Sequence, residues 1–181
     1  MSNPILEAIK TRRVIREMTD QPVEIAKLES IMESARWSPT GGNLKLNRFV
    51  VVQKPHTLRL LRMVSPGMFQ RCPVVIVICV DWEVVRLREL PHHSRPIAMD
   101  VGAAAQTMML AAHSLGLASG PVTSFSREAV RVVLNLPENL SAEMFVCVGY
   151  AAPRPQGGMR AYEKVSWRDL TYWDRFEDKG P

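Results

Sequence analysis

MDVGAAAQTMMLAAHSL, which occupies residues 99–115, predicts one long helix. Alanine, methionine, leucine and valine stand on nearly every side of that helix, so it has no broad polar face for solvent. A helix of this kind is deeply buried or packs against another subunit. Gly116 follows in the position where glycine commonly ends a helix. We expect the rest of the fold to be arranged around this segment.

Apolar runs on either side of this helix predict strands. Residues 74–80 read VVIVICV, which is apolar on both faces and therefore typical of a central strand. Residues 144–148 (MFVCV) predict a further inner strand, and residues 49–52 predict another. Other helices are predicted from Pro4 to the arginines near residue 12, and at residues 23–35, 57–63 and 127–134. Because the strands lack the regular spacing of βαβ units, the prediction is an α+β fold.

The remaining segments interrupt these elements. Residues 84–95 are charged and broken by proline, and the chain beyond residue 151 is rich in proline and glycine. It ends in an aromatic tail that contains Trp167, Tyr172, Trp173 and Phe176. Such a tail covers an apolar surface, which belongs either to a neighbouring subunit or to its own domain.

Length, composition and charge limit the class of protein. The chain has 181 residues, 46% of them hydrophobic and 23% charged, so we expect one globular domain over residues 1–181. The longest apolar strand-like run is seven residues, whereas a membrane-spanning helix needs about 20. The N-terminus has no long apolar signal segment, and we therefore expect a soluble cytoplasmic protein. The net charge of +5 favours anionic partners, among them nucleic acid and phosphate ligands.

Cysteines and familiar motifs exclude several kinds of site. Cys72, Cys79 and Cys147 form no C-x-x-C pair and are interpreted as buried packing residues. The sequence has no Rossmann glycine fingerprint, P-loop, H-E-x-x-H or G-x-S-x-G motif. The adjacent His92 and His93 are interpreted as part of a solvated loop rather than as metal ligands.

Three segments remain as candidates for ligand binding. TRRVIR at residues 11–16 places three arginines where a helix ends, which suits a phosphate monoester; a solvated basic turn, or pairing with Glu7 and Glu17, is the alternative. SPTGGN at residues 38–43 lets backbone amides approach a heteroaromatic ring, unless it is a plain connection. LGLASGPVTSF at residues 115–125 is interpreted as a turn of small residues that could lie flat against a ring system.

In this order the three segments resemble the nitroreductase family over about residues 5–170. The family's arginine motif is matched by Arg12, Arg13 and Arg16, and its S-P-S-x-x-N loop by Ser38, Pro39, Thr40 and Asn43. Residues 100–116 and 117–125 are similar to the long central helix of that family and the turn beneath its flavin. Residues 144–153 resemble its last core strand and G-Y-x-x-P exit, and Arg160 stands where the family keeps a basic residue for the phosphate.

The resemblance implies an α+β nitroreductase-like fold with a central mixed β-sheet surrounded by helices and an extended C-terminal tail. It implies a homodimer with FMN at the subunit interface, which passes hydride from NADH or NADPH through flavin N5 to a nitroaromatic, quinone or similar small electrophile in a ping-pong cycle. Arg12, Arg13, Arg16 and Arg160 would hold the phosphate. The loop with Ser38, Pro39, Thr40 and Asn43 would reach the flavin from the partner, and Pro121, Val122 and Thr123 would line it. No residue is implied as a catalytic acid or base, and no metal, nucleic acid or membrane is implied.

Two residues depart from the family pattern. Val14 stands where the family often has Ser or Thr, which removes one hydrogen bond worth about 1 kcal/mol. Lys45 replaces a glutamine and places a cation either near the flavin edge or in solvent. The chain is also short for the family, so an inserted lid helix over the flavin is expected to be small or missing.

Two other functions stay open at this stage. Residues 64–67 (VSPG) and 120–125 (GPVTSF) look somewhat like the cyclic dipeptide oxidase branch of the same fold, which implies oxidation of a peptide-like substrate. The positive charge could instead belong to a non-catalytic module that binds RNA or a free nucleotide. That module is disfavoured because no run alternates basic and exposed aromatic residues.

Overall fold

Helices flank a four-stranded sheet in the computed structural model, which describes residues 3–68, 71–89, 95–153 and 165–176. Within those ranges the helices are α1 (Pro4–Thr11), α2 (Ile25–Arg36), α3 (Pro55–Met63), α4 (Trp82–Leu87), α5 (Arg95–Ser114), α6 (Arg127–Leu134) and α7 (Trp167–Leu170). The strands are β1 (Asn47–Val52), β2 (Val74–Asp81), β3 (Ala118–Val122) and β4 (Leu140–Gly149). The α+β prediction is confirmed.

The sheet has the strand order β1-β2-β4-β3, and neighbouring strands pair antiparallel. The described sheet is thus antiparallel and not mixed as expected; Val14 and Ser119 form an isolated parallel bridge, where the chain after α1 runs beside β3. Every residue of β2 is buried, as its two-sided apolar pattern predicts.

The core is divided between the two faces of the sheet. Val74, Ile76 and Ile78 of β2 belong to the cluster that contains α2 and α5, whereas Val75 and Val77 belong to the cluster that contains α3 and α6. Successive residues of a strand point to opposite faces, so one apolar strand supplies both clusters. On α5 the buried residues include Ala104, Ala105, Met108, Met109 and Ala112, which confirms most of the predicted burial of this helix.

Several elements begin two to four residues away from the prediction, and α4 was not predicted. Helix α5 begins at Arg95 rather than at residue 99, because Pro96 suits the first turn of a helix. The charged segment from residue 84 includes most of α4, whose first turn is capped by the carboxylate of Asp81 on the amide of Glu83 at 3.2 Å. Strand β4 begins at Leu140, four residues earlier than predicted.

The interpretation of residues 115–125 as a turn is wrong for residues 118–122, which form β3. Gly120 and Pro121 are poor strand formers, but pairing with Cys147 and Val146 of β4 overrides that local preference. Proline is tolerated here because β3 lies at the edge of the four-stranded sheet.

Candidate functional site

The guanidinium of Arg12 lies in an unusual position at the end of α1. Its Nε and Nη1 atoms are buried and have no hydrogen-bond partner, and within the described ranges Arg12 forms no ion pair. A buried cation without a partner is costly, because desolvation is not offset by any hydrogen bond. An anionic ligand at this point would supply the missing acceptors.

Arg13 and Arg16, which were also expected to hold the phosphate, have different surroundings from Arg12. Nη1 of Arg13 donates to the carbonyls of Lys10 at 2.6 Å and Arg12 at 2.9 Å, so it caps the last turn of α1. Glu7, the pairing partner considered above, lies 3.8 Å from Lys10 instead of from an arginine. Arg16 lies farther along the chain, beside the middle of β3.

The segment from Arg12 to Arg16 runs alongside β3. The amide of Ile15 donates to the carbonyl of Ser119 at 2.9 Å. At about 3.3 Å per residue in an extended chain, Arg12 and Arg16 are about 13 Å apart at their Cα atoms. Residues at alternate positions of such a segment share a face, so an elongated ligand along it would meet a cation at each end.

Gly120 permits the close packing of β3 against this segment. A Cβ atom at Gly120 would lie 3.3 Å from the carbonyl oxygen of Ile15 and about as close to the side chains of Val14 and Arg16. A narrow crevice of about 10 Å³ begins here. It is lined by Arg16, Gly67, Met68, Cys72, Gly120, Val122 and Cys147. Of the predicted ring-lining residues, Val122 is buried in this wall, Pro121 is half-buried and Thr123 is exposed.

The turn at residues 64–68 forms a wall of the site that no sequence motif indicates. The amide of Gly67 and the hydroxyl of Ser65 both donate to the carbonyl of Ser124, at 3.1 and 3.0 Å. A Cβ atom at Gly67 would lie 2.9 Å from Cβ of Ser124, so only glycine fits. The Pro66-Gly67 pair signalled a turn, but its partner lies 57 residues later and no local pattern identifies it.

Two buried thiols lie at the base of the crevice. The thiol of Cys72 forms a hydrogen bond with Cys147, which lowers the pKa of Cys147 against the effect of burial and raises that of Cys72. The charges of Arg16 and Arg62 lower the pKa of Cys147 further. Burial raises the pKa of Cys79 to about 12. All three cysteines are buried and free, which confirms their predicted burial.

The loop with Ser38, Pro39, Thr40 and Asn43 is anchored to the start of α5. The amide of Gly41 donates to both carboxylate oxygens of Asp100, at 2.9 and 3.1 Å. Gly42 and Asn43 adopt left-handed backbone conformations, with φ of 56° and 55°. Ser38 is buried and its hydroxyl donates to the carbonyl of Ala35 at 2.8 Å. The loop is therefore a fixed structure and not a plain flexible connection.

A cavity of about 860 Å³ opens beside this loop. Ser38, Pro39, Thr40 and Asn43 line it, together with the exposed ring of Trp37 and the side chains of Arg36 and Arg48. Trp37 is held by its Nε1 atom, which donates to Glu33 at 2.9 Å, and by the guanidinium of Arg36 over its ring. The volume is in the range of small-molecule sites.

Lys45 neither points freely into solvent nor reaches the crevice beside β3. Its ammonium donates to the carbonyls of Arg36 and Ser38, each at 3.2 Å. These carbonyls lie at the C-terminal end of α2, where a cation is favourable. Lys45 therefore contributes to the end of α2 and also lines the cavity beside the loop, while Val14 presents an exposed apolar side chain next to Gly120.

The two groups of predicted site residues lie at opposite ends of α5. The loop is bonded to Asp100, whereas the end of α1 is bonded to α5 by Thr11 Oγ1 and His113 Nε2, 2.9 Å apart. Asp100 and His113 are thirteen residues apart, which corresponds to about 20 Å along a helix axis. Arg12 and Asn43 of one chain are thus not brought together by the fold.

Some predicted residues lie outside the described ranges. Arg160, His92 and His93 are among them. Within the described residues, no group of three or more His, Cys, Asp or Glu side chains could hold a metal ion. No helix in the same ranges combines the length and apolarity that crossing a bilayer requires.

The fold is an α+β sheet flanked by helices, and the two unpaired nitrogens of Arg12 lie beside its edge strand β3. The sequence model of the nitroreductase family matches residues 9–65 and 61–150. A Thermus thermophilus protein named NADH dehydrogenase is 30% identical over an alignment that covers 91% of this chain and 98% of that protein. A Bacillus subtilis protein named FMN reductase (NAD(P)H) is 24% identical over 97% of this chain and 77% of its own length.

A solved structure agrees with this assignment. The crystal structure of a nitroreductase family protein from Clostridium difficile 630 has a TM-score of 0.78 and 28% identity to this chain, covering 96% of this chain and 99% of its own. The chain belongs to the nitroreductase family of oxidoreductases, which confirms the resemblance found in the sequence.

Proposed function

We propose that the protein is a homodimeric, FMN-dependent oxidoreductase that transfers hydride from NADH or NADPH to a nitroaromatic, quinone or similar electrophile by a ping-pong mechanism. When bound, FMN supplies a carrier that accepts hydride at N5 and releases it to the second substrate. The observation that carries the proposal is the pair of buried, unpartnered nitrogens on Arg12. The names of the Thermus and Bacillus relatives support the nucleotide and the cofactor.

Residues of this chain beside β3 have separate roles in binding the cofactor. Arg12 binds the phosphate through a charge-assisted, two-nitrogen contact, and Arg160 is proposed to assist. Arg13 shapes this end of the site by holding the carbonyls that end α1. Arg16, 13 Å or so farther along, supplies positive charge at the ring end, which favours an anionic reduced ring.

The planar ring is proposed to lie over the mouth of the crevice, because a volume of about 10 Å³ holds no more than a water molecule. Gly67 and Gly120 let two backbones approach closely, while Val122 and Pro121 offer apolar surface and a backbone amide after β3 can donate to the ring. We assign no acid or base to the chain, because hydride transfer between stacked rings depends on proximity and orientation.

A site shared between two subunits would account for the distance between the loop and Arg12 within one chain. In a homodimer, Thr40 and Asn43 of one subunit can complete the site formed by Arg12 and β3 of the other. Exposed apolar side chains are available for such an interface, since Ile5 is 68% exposed, Met99 70% and Phe176 78%. Helix α5 and the aromatic tail would then be covered by the second subunit.

An absorbance spectrum with anaerobic nucleotide titration tests the proposal. We expect oxidised-flavin bands after reconstitution with FMN, and bleaching by NADH or NADPH. Flavin that is retained but resists both nucleotides would favour the oxidase branch considered above. Failure to take up FMN would overturn the cofactor assignment and favour a non-catalytic binding module.

A further inference from the structure

A separate cavity of about 550 Å³ lies between α3 and the residues that lead into β2. Its apolar side includes the buried residues Leu58 and Val23. Arg59, Arg62, Arg71 and Asp20 also line the cavity. A volume of this size holds a small molecule, and a mixed lining of apolar surface and a few charged groups is typical of ligand sites.

The three arginines have no structural partner that accounts for them. Within the described ranges, none of them forms an ion pair or a side-chain hydrogen bond. Elsewhere, Arg36 pairs with Glu33 and Arg131 with Glu128, each one turn away on the same helix. Helix α3 reads PHTLRLLRM and contains no acidic residue. Arg59 and Arg62, three residues apart, share one face of it.

Arg62 adds a buried polar atom without a partner. Its Nε is buried and has no hydrogen-bond acceptor. Leaving such an atom unpaired costs free energy that a bound anion would recover. The neighbouring thiol of Cys72 interacts with Cys147, and a thiol sulfur is only a weak hydrogen-bond acceptor.

The balance of charge indicates the kind of anion. Three arginines and the single carboxylate of Asp20 give the lining a net charge of +2. A monocarboxylate would leave this charge half neutralised, whereas a phosphate monoester carries nearly two negative charges at neutral pH and offers several acceptor oxygens to guanidinium groups. We propose that this cavity is a second anion site, which binds a small phosphate monoester whose apolar body lies against Leu58 and Val23.

The site is adjacent to the candidate FMN crevice but distinct from it. Cys72 lines both, while Arg12, Arg16 and β3 are absent from the lining of this cavity. The test therefore uses protein saturated with FMN, so that the phosphate site at Arg12 is filled before the second anion is added. This inference goes beyond the proposed oxidoreductase function and does not depend on its substrate.

Calorimetric titration with phenyl phosphate, inorganic phosphate and phenol at constant ionic strength tests the proposal. We expect phenyl phosphate to bind with one site per chain, inorganic phosphate to bind more weakly, and phenol not to bind. Arg62→Gln and Arg59→Gln should each weaken phenyl phosphate by about tenfold, the effect of losing one charge-assisted hydrogen bond. Arg131→Gln, on a helix outside the cavity, is the matched control and should leave binding unchanged.

The flavin spectrum and melting temperature of each variant show whether it is folded. Should Arg62→Gln fail to fold, Arg59→Gln still decides, because Arg59 is exposed. No binding of phenyl phosphate up to about 10 mM, displacement of FMN by it, or binding that survives in both cavity variants would each overturn the proposal. A protein that fails to retain FMN but binds phenyl phosphate with this variant pattern would support the second site while refuting the proposed cofactor.

Discussion

At the scale of single residues, Arg12 stands out because two of its side-chain nitrogens are buried without a hydrogen-bond partner. Replacing it by Gln removes the cation and shortens the side chain but keeps it polar, so affinity for FMN should fall about 10–100-fold, as expected for loss of a charge-assisted contact. Fluorescence titration of the apoprotein with FMN measures the change. Arg86→Gln is the control, because Arg86 lies on α4 beside Glu83. Equal FMN affinity in Arg12→Gln and the native protein would remove the phosphate assignment.

Gly149 and Gly102 differ in the space around them, so the same substitution at each position tests the packing. A Cβ atom at Gly149 would lie 2.7 Å from Cδ of Pro73, whereas a Cβ atom at Gly102 would meet nothing within 4 Å. Gly149→Ala should therefore destabilise the protein by about 1–3 kcal/mol. Gly102→Ala should be neutral or stabilise α5 by up to about 1 kcal/mol, from helix propensity. Thermal unfolding of both variants measures the difference, and a Gly149→Ala variant as stable as Gly102→Ala would contradict the packing at the end of β4.

At the scale of elements, the end of α2 depends on Lys45. Its ammonium donates to two carbonyls at that end, and Lys45→Met keeps the stem while removing the donors. Because the side chain is exposed, we expect a loss of only about 0.5–1 kcal/mol. Lys54→Met, at an exposed lysine before α3, is the control. If Lys45→Met and Lys54→Met unfold at the same temperature, the contact contributes nothing to stability.

Tyr150 connects the end of β4 to the start of α2 in a pH-dependent way. Its hydroxyl donates to Glu24 at 2.6 Å and accepts from Lys27 at 2.7 Å. The first of these bonds lowers the pKa of Glu24. A lowered pKa stabilises the fold above the pKa of the unfolded carboxyl, about 4, and this stabilisation is lost as the pH falls through the folded value. Tyr150→Phe should thus lower the melting temperature more at pH 7 than at pH 3, and Glu24→Gln should abolish that pH dependence. A difference that grows toward acid would contradict the assignment.

Elements were predictable wherever local pattern and final environment agree. The two-sided apolar run of β2 and the apolar helix α5 are examples, because burial in the core is what their composition requires. Strand β3 was not predictable, because Gly120 and Pro121 disfavour strands. Pairing with β4 places them in a strand. The buried Arg12 nitrogens and the Gly67 contact with Ser124 arise from packing between distant segments, which no local motif encodes.

At the scale of the whole molecule, α5 separates two groups of residues that the family resemblance assigns to one flavin. Arg12 lies near the His113 end of this helix and the loop with Thr40 and Asn43 near the Asp100 end. The single domain over residues 1–181 and the homodimer both stay predictions. A shared site makes the homodimer testable, because each site would take Arg12 from one subunit and Asn43 from the other.

Mixing two defective variants distinguishes a shared site from a site within one chain. Dimers of Arg12→Gln, and dimers of Thr40→Ala/Asn43→Ala, carry a defect in every site under either arrangement. In a shared-site heterodimer, one site collects both defects and the other collects none. After unfolding and refolding an equal mixture, half of the dimers are heterodimers, so about a quarter of all sites should regain native FMN affinity and NAD(P)H oxidation. The control is the same mixing protocol with Arg12→Gln alone, which should recover nothing. If heterodimers are demonstrated by mass and the mixture still recovers nothing, Arg12 does not share a site with the partner's loop. In that arrangement each site lies within one chain, so every site carries one of the two defects.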